Sequence, residues 1–130
     1  MDYQNSVDMT YGLRCMLGRV FVRVEGVVGS DEMVFVAEDG ARFTFAHYQD
    51  CCESVSINDI IGDLNDLIGE PLLRAEESTN VDLPAPSKYA ESYTWTFYKF
   101  ATRKGYVDVR WLGESNGYYS ESVDLFVERV

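Results

Sequence analysis

Residues 32–47 read EMVFVAEDGARFTFAH, two apolar stretches separated by an acidic residue and a glycine. Both stretches are rich in the β-branched and aromatic residues that strands favour. Asp39 and Gly40 form a dipeptide typical of two-residue hairpin turns, in which both turn residues adopt a positive φ. The segment therefore predicts a β-hairpin with strands over residues 32–38 and 41–47.

Strand patterns continue on both sides of this hairpin. Residues 19–28 (RVFVRVEGVV) alternate with period two, as a half-buried strand does. Residues 71–80 are predicted to form an edge strand, where a proline at the start is tolerated. The C-terminal strands are predicted over residues 93–102, 106–112 and 120–127, with turns at residues 103–105 and at Asn116-Gly117.

One segment changes its period from two to about 3.6. The apolar residues that share one helical face are Ile57, Ile60, Ile61, Leu64, Leu67 and Ile68. Ser56 or Asn58 suits the N-cap, Gly69 suits the exit, and Pro71 prevents continuation. We therefore predict a short amphipathic helix from Asn58 to Ile68.

Together these elements predict an α+β fold: an antiparallel or mixed β-sheet of six or seven strands with one short amphipathic helix. The length of 130 residues predicts a single domain. Residues 1–10 carry no pattern and are expected to be mobile. Residues 82–91 hold two prolines and are expected to form an exposed loop.

Composition and charge narrow the classes of function. Apolar residues make up 46% of the chain, which argues against disorder. The net charge of −11 disfavours binding to nucleic acid or to an anionic membrane. Residues 50–92 form an acidic belt, whereas residues 93–130 carry equal numbers of basic and acidic groups. No signal peptide or membrane span is evident, so a cytoplasmic location is expected.

Cysteine and histidine residues raise the questions of a metal site and of a nucleophile. His47, Cys51, Cys52 and Cys15 have the right ligand types for zinc, but adjacent cysteines do not easily reach one tetrahedral ion. A cysteine–histidine nucleophile lacks an evident third group to orient the histidine. We interpret the cysteines as free, buried thiols at a bend between strand and helix, and expect no metal, cofactor or catalytic residue.

Residues 110–120 (RWLGESNGYYS) combine a guanidinium, three aromatic rings, hydroxyls and an amide around two glycines. These groups suit a nucleotide site, because arginine forks to phosphate and an aromatic face stacks on a base. The alternative is a hairpin whose aromatic residues belong to the core, and composition alone favours that alternative. Arg110 and Trp111 also face opposite sides of a strand, so only one of them serves a site unless a bulge intervenes.

Three segments resemble a family of small uncharacterised proteins carried by bacteriophages and prophages. They are residues 47–55 (HYQDCCESV), 59–64 (DIIGDL) and 98–122 (YKFATRKGYVDVRWLGESNGYYSES). The likeness is most specific at residues 50–53 (DCCE) and 115–120 (SNGYYS). This family in turn is similar to the first-described Thoeris anti-defence proteins, which bind cyclic ADP-ribose signals without cleaving them.

The resemblance implies a homo-oligomeric, dimeric or larger, sponge for a cyclic nucleotide in the cytoplasm of an infected bacterial host. It implies no catalysis, and no nucleic acid or membrane partner is expected. A dianionic ligand on an acidic protein requires a locally positive, aromatic patch, which residues 93–130 are able to supply. The candidates for phosphate are Arg110, Arg103 and Lys99; those for the base are Phe97, Trp111, Tyr118 and Tyr119; those for its polar edges are Asn116 and Ser120.

Two other functions compete with sequestration. The acidic belt suggests a decoy that imitates DNA or otherwise binds and inhibits a host defence enzyme. A hydrolase of the same messenger is the third hypothesis, although no base, nucleophile or metal cluster is apparent. Incubation of the protein with the nucleotide distinguishes the three hypotheses. Recovery of intact nucleotide supports sequestration, recovery of a cleaved product supports the hydrolase, and absence of uptake leaves the decoy.

Overall fold

The fold consists of nine strands, one short α-helix and one 3-10 turn, in a computed structural model that describes residues 6–79 and 83–129. The strands are β1 (Ser6–Val7), β2 (Phe21–Glu25), β3 (Glu32–Ala37), β4 (Arg42–Ala46), β5 (Ser54–Ile61), β6 (Arg74–Thr79), β7 (Ser92–Thr102), β8 (Gly105–Ser115) and β9 (Asp124–Glu128). They form two antiparallel sheets, in the orders β1-β9-β4-β3-β2 and β5-β8-β7-β6. The broad α+β class is confirmed. The predicted number of strands, six or seven in one sheet, is too low, because β1 and β5 carry no clear strand pattern.

Aromatic side chains from both sheets meet in one core. The ring centres of Phe35 and Phe100 are 4.9 Å apart, and those of Phe45 and Tyr98 are 5.0 Å apart. Phe21 packs edge-to-face on Phe35 at 5.3 Å. Each sheet therefore has an inner face buried against the other, and the second sheet has an outer face that carries the site described below.

The β3–β4 hairpin is confirmed, but its turn differs from the prediction. The amide of Ala37 donates to the carbonyl of Ala41, which closes a three-residue loop rather than a two-residue one. Of the residues in this turn, only Gly40 has a positive φ, of 90°. The side chain of Asp39 instead accepts a hydrogen bond from the Ala41 amide and pairs with Arg19 at 2.8 Å. This is the turn-plus-bulge connection that uses glycine at its last position.

The prediction of an amphipathic helix from Asn58 to Ile68 is wrong. Residues Ser54–Ile61 form β5 and pair with β8, and only Leu64–Leu67 are helical, as one 3-10 turn. Gly62 separates the two with a φ of 111°, and a Cβ there would lie 2.5 Å from the carbonyl oxygen of Tyr106. Long-range pairing with β8 satisfies the backbone of this segment, and local periodicity carries no information about that partner.

The α-helix of the described residues, α1 (Met9–Met16), was not predicted from the sequence. The Asp8 carboxylate caps its first turn by accepting from the Tyr11 amide at 3.0 Å, and Leu13 and Met16 are buried. Residues 6–10, which were predicted to be mobile, thus form β1 and the start of α1. The rest of that prediction, residues 1–5, lies outside the described residues.

The long β7–β8 hairpin is the centre of the second sheet. Its two strands pair from Ser92 with Ser115 to Thr102 with Gly105, so the turn consists of Arg103 and Lys104. Strand β6 is an edge strand, as predicted, although Asn80 lies outside the described residues. Residues 83–91, in the segment predicted as a loop, form no strand or helix and are mostly exposed, and Asp82 lies outside the described residues.

Candidate functional site

Alternation along β7 and β8 divides their side chains between the core and the outer face of the second sheet. Tyr98, Phe100 and Val109 point into the core and are fully buried. Phe97 and Arg110, on the other side of the same strands, are half-buried. The hairpin thus carries an apolar inner surface and a mixed outer surface.

Cross-strand register arranges the outer side chains in rows. One row, from β5 to β6, holds Asp59, Arg110, Phe97 and Ser78, and the next holds Ile61, Asp108, Lys99 and Glu76. These rows enclose an open groove of about 510 Å³, which we call the outer groove. Three of the predicted site residues, Phe97, Lys99 and Arg110, therefore lie side by side in it.

Arg110 is held from two directions. Its Nε donates to Oδ1 of Asn58 at 2.8 Å, and its guanidinium carbon lies 5.1 Å from the centre of the Trp95 ring. Asn58 is the extra residue of a β-bulge in β5, between Ile57 and Asp59. Within the described residues, the Nη groups of Arg110 make no hydrogen bond. The side chain is thus oriented, while its two terminal donors stay available.

Trp95 is fixed by the exposed loop. Its Nε1 donates to the carbonyl of Pro84 at 3.1 Å, and its side chain is nearly buried. The loop over residues 83–91 thereby holds the ring on which Arg110 lies. Both Asn58 and Trp95 were missed by sequence reasoning, because neither is near Arg110 along the chain.

Charges of both signs line the groove. Lys99 lies 3.9 Å from Oδ1 of Asp108, beyond hydrogen-bond distance, and Arg74 pairs with Glu76 at 2.9 Å. The hydrogen bond from Arg74 lowers the pKa of Glu76, and desolvation opposes the shift. The cations are therefore partly balanced in place, as expected for a protein with this net charge.

The other predicted site residues lie elsewhere. Trp111 is completely buried in the core, which confirms that it and Arg110 face opposite sides. Arg103 lies at the β7–β8 turn and pairs with Glu70 at 2.9 Å. Those in the loop after β8 are Asn116, Tyr118, Tyr119 and Ser120, and none of them lines the outer groove. At about 3.3 Å per strand residue, Asn116 is roughly 20 Å beyond Arg110.

The loop residues make mainly local contacts. Oδ1 of Asn116 accepts from the Tyr118 amide at 3.0 Å, the rings of Tyr118 and Tyr119 meet edge-to-face, and Ser120 bonds to Ser122. Tyr118 is 84% exposed. The run of residues 110–120 is thus divided among the groove, the core and a distant loop.

A buried ion pair connects this loop to the β4–β5 connection. Nε2 of His47 lies 2.9 Å from Oε2 of Glu53, and Nδ1 lies 2.7 Å from the carbonyl oxygen of Ser122. Each ring nitrogen of His47 therefore lies within hydrogen-bond distance of an oxygen atom, which fixes the orientation of the imidazole. The bond from His47 lowers the pKa of Glu53 to about 2, assisted by the amides of Cys51 and Asp50 and opposed by desolvation. Glu53 thus orients His47, and the sequence analysis had found no group in that position.

The interpretation of Cys51 and Cys52 as free, buried thiols is wrong. The two residues are exposed and joined in a disulfide, while Cys15 on α1 is free. Among residues 6–79 and 83–129, no three histidine, cysteine or acidic side chains converge in a group that could hold a metal ion. In the same part of the chain, no helix has the length and apolarity needed to cross a membrane.

The chain matches a known family model. A family model described as a domain of unknown function (DUF7448) covers residues 14–125. No curated protein and no solved structure matches the chain. The matched region begins within α1 and ends within β9, so it contains the whole outer groove and the His47–Glu53 pair.

Proposed function

Since the chain belongs to the DUF7448 family, whose description names no function, we propose a function from the outer groove: it binds a cyclic nucleotide signal of the cyclic ADP-ribose type and holds it uncleaved. The resemblance of residues 47–55, 59–64 and 98–122 to phage anti-defence proteins supports this proposal. A protein of that kind acts in the cytoplasm of the infected host by keeping the messenger from its effector.

The preorganised Arg110 carries the proposal. Its guanidinium rests on Trp95 and is anchored by Asn58, so little side-chain freedom is lost when a ligand binds. Two free Nη donors match the oxygens of one phosphate, and such charge-assisted bonds are about twice as strong as neutral ones. Phe97, next to Arg110 in the same row, offers an aromatic face for a base. Lys99 adds a second cation.

We still propose a homo-oligomer, but its contact cannot be the helix that the sequence predicted. The helix expected to form it, over residues 58–68, is replaced by β5 and a 3-10 turn. The proposed contact is instead formed by Ile61 and Tyr106, two large apolar side chains on the outer face near the β7–β8 turn. They are 56% and 60% exposed. Sedimentation at micromolar concentration tests for a dimer or larger assembly, and a monomer contradicts it.

Uptake and release of the nucleotide test the proposed function. Pure protein is incubated with cyclic ADP-ribose isomers, filtered, heat-denatured, and the released material is separated by chromatography. Stoichiometric recovery of intact nucleotide supports the proposal, and a cleaved product indicates the hydrolase instead. Absence of uptake overturns the proposal and favours the acidic decoy. Arg110→Ala is expected to lose most uptake, whereas Tyr118→Ala, which lies outside the groove, retains it.

A further inference from the structure

The outer groove continues into a second cavity at the β7–β8 turn. This turn pocket has a volume of about 550 Å³, and Arg74, Lys99 and Asp108 line both spaces. Arg103 and Lys104 of the turn complete its walls, together with Tyr106. The two spaces therefore form one continuous surface along the hairpin.

The two parts of this surface differ in charge. Three basic and four acidic side chains line the outer groove, whereas four basic and one acidic side chain line the turn pocket. The single carboxylate of the turn pocket is Asp108, which also lines the groove. On a chain with a net charge of −11, such an excess of cations is a local exception. It favours an anionic group at this end of the surface.

Existing contacts hold these cations without neutralising them fully. Nζ of Lys104 donates to the carbonyl oxygens of Asn65 and Ile68, at 3.0 and 2.9 Å, and these acceptors are uncharged. Arg103 pairs with Glu70, but its side chain is 76% exposed, and such a surface pair is weak and easily exchanged. A bound phosphate would therefore displace little.

Register places three cations on one diagonal of the sheet. Phe97 pairs with Arg110 and Glu76 pairs with Lys99, so Lys99 is the diagonal neighbour of Arg110, and Arg74 is the diagonal neighbour of Lys99. Diagonal neighbours are roughly 7–8 Å apart, a spacing that long cationic side chains can close over one ligand. Lys99 is the middle cation of this line and is 45% exposed.

We infer that this diagonal is a diphosphate site: Lys99 lies between the two phosphates, Arg110 contacts one of them, and Arg74, with the basic turn behind it, contacts the other. The inference rests on the proposed function and adds that the site selects between nucleotides by their number of phosphates. A nucleotide with a diphosphate engages both ends, whereas a singly charged cyclic monophosphate reaches only one. The chain thus discriminates between them by the second set of charged hydrogen bonds.

Arg74 has a matched control in Arg23. Each arginine lies on an edge strand, is about half exposed, and pairs with a glutamate two residues later, Glu76 at 2.9 Å and Glu25 at 2.8 Å. Arg74→Ala and Arg23→Ala therefore remove the same charge and the same type of pair. Of these two arginines, only Arg74 lies on the diagonal, so a difference in binding between the two variants is due to its position.

Calorimetric titrations with cyclic ADP-ribose and with 3′,5′-cyclic AMP test the inference. Arg74→Ala is expected to weaken cyclic ADP-ribose binding about tenfold, equal to about 1.4 kcal/mol, and cyclic AMP binding less than about threefold. Arg23→Ala is expected to change neither. If wild type binds cyclic ADP-ribose and the two variants behave alike, the inference is overturned while the proposed function stands.

Inorganic pyrophosphate separates the two proposals. If wild type binds no cyclic nucleotide, the proposed function fails, and the same titration is made with pyrophosphate alone. Pyrophosphate binding that is weakened by Arg74→Ala and not by Arg23→Ala supports the diphosphate site as an anion site. Absence of pyrophosphate binding under those conditions overturns it.

Discussion

The guanidinium carbon of Arg110 lies 5.1 Å from the centre of the Trp95 ring, on the outer face of the second sheet. Pairing of Trp95 with Leu112 produces this contact, because Arg110 is two residues before Leu112 and points to the same side. A cation above an aromatic face is attracted by the ring and need not use its N–H donors. The contact therefore orients Arg110, and within the described residues its Nη groups make no hydrogen bond.

Replacing Arg110 is expected to weaken nucleotide binding. Arg110→Ala removes a charged contact that is bidentate in the proposed complex, so affinity for cyclic ADP-ribose should fall at least about tenfold, or about 1.4 kcal/mol. Arg110→Lys should recover only part of the loss, because an ammonium keeps the charge but not the planar fork. Calorimetric titration measures all three proteins.

Arg42→Ala is the control for Arg110, since Arg42 is an exposed cation on β4 of the first sheet. It should bind like wild type. If Arg110 is an ordinary surface arginine, its truncation should change stability and affinity by less than about 1 kcal/mol. Equal affinities in wild type and both Arg110 variants would remove Arg110 from the site.

Phe97 and Tyr118 distinguish the groove from the loop after β8. Phe97→Ala should lower nucleotide affinity by about fivefold or more, because base stacking on one aromatic side chain contributes about 1–3 kcal/mol. Tyr118→Ala should have no effect, since Tyr118 does not line the groove. Fluorescence-detected titration with a nucleotide analogue compares the two. The reverse order of effects would move the site to the loop.

Trp111 is expected to affect stability and not binding. Its side chain is completely buried, and its Nε1 has no hydrogen-bond partner within the described residues. Trp111→Phe therefore leaves a cavity but breaks no hydrogen bond, and should lower the free energy of unfolding by about 1–3 kcal/mol. Urea denaturation measures this loss. Weaker nucleotide binding at unchanged stability would contradict the core assignment.

The His47–Glu53 pair predicts a specific acid sensitivity. The pKa of Glu53 is lowered from 4.5 to about 2, so the ionised carboxylate stabilises the fold fully above pH 4.5. This contribution is lost as the pH falls from 4.5 towards 2. Glu53→Gln should lower Tm near neutral pH by at least about 5 °C and make Tm less dependent on pH in that window.

Circular dichroism melts from pH 2 to pH 7 test this expectation against Glu25→Gln. Glu25 belongs to an exposed ion pair on β2, with its side chain 57% exposed. Its replacement should leave the pH dependence of Tm close to that of wild type. Matching curves for the two variants would show that the buried pair adds no acid sensitivity.

Local patterns were sufficient for the hairpins. The β3–β4 and β7–β8 hairpins were predicted because their strands are rich in β-branched and aromatic residues and because glycines, Gly40 and Gly105, lie in the predicted turns. The opposite orientations of Arg110 and Trp111 followed from the alternation of side chains along a strand. The loop length of the β3–β4 hairpin was not predicted correctly. The loop has three residues, and the Asp39 side chain accepts a hydrogen bond from the Ala41 amide within it.

Partners distant in sequence account for the errors. The periodicity from Ile57 to Ile68 suggested a helix, yet the segment pairs with β8, and a bulge at Asn58 and the break at Gly62 disturb its alternation. Glu53 was not recognised as the partner of His47. A buried carboxylate is only recognisable once its donors are known.

The amino-acid sequence by itself determined the β-rich class, most of the strands and the side of each strand on which a residue lies, because these depend on period two over neighbouring residues. Only the tertiary structure decided which residues meet. Asn58 of β5, Trp95 of β7 and Arg74 of β6 are brought to the surface around Arg110 of β8 by the strand order and register. Register results from the burial of the whole inner face, so no short segment contains it.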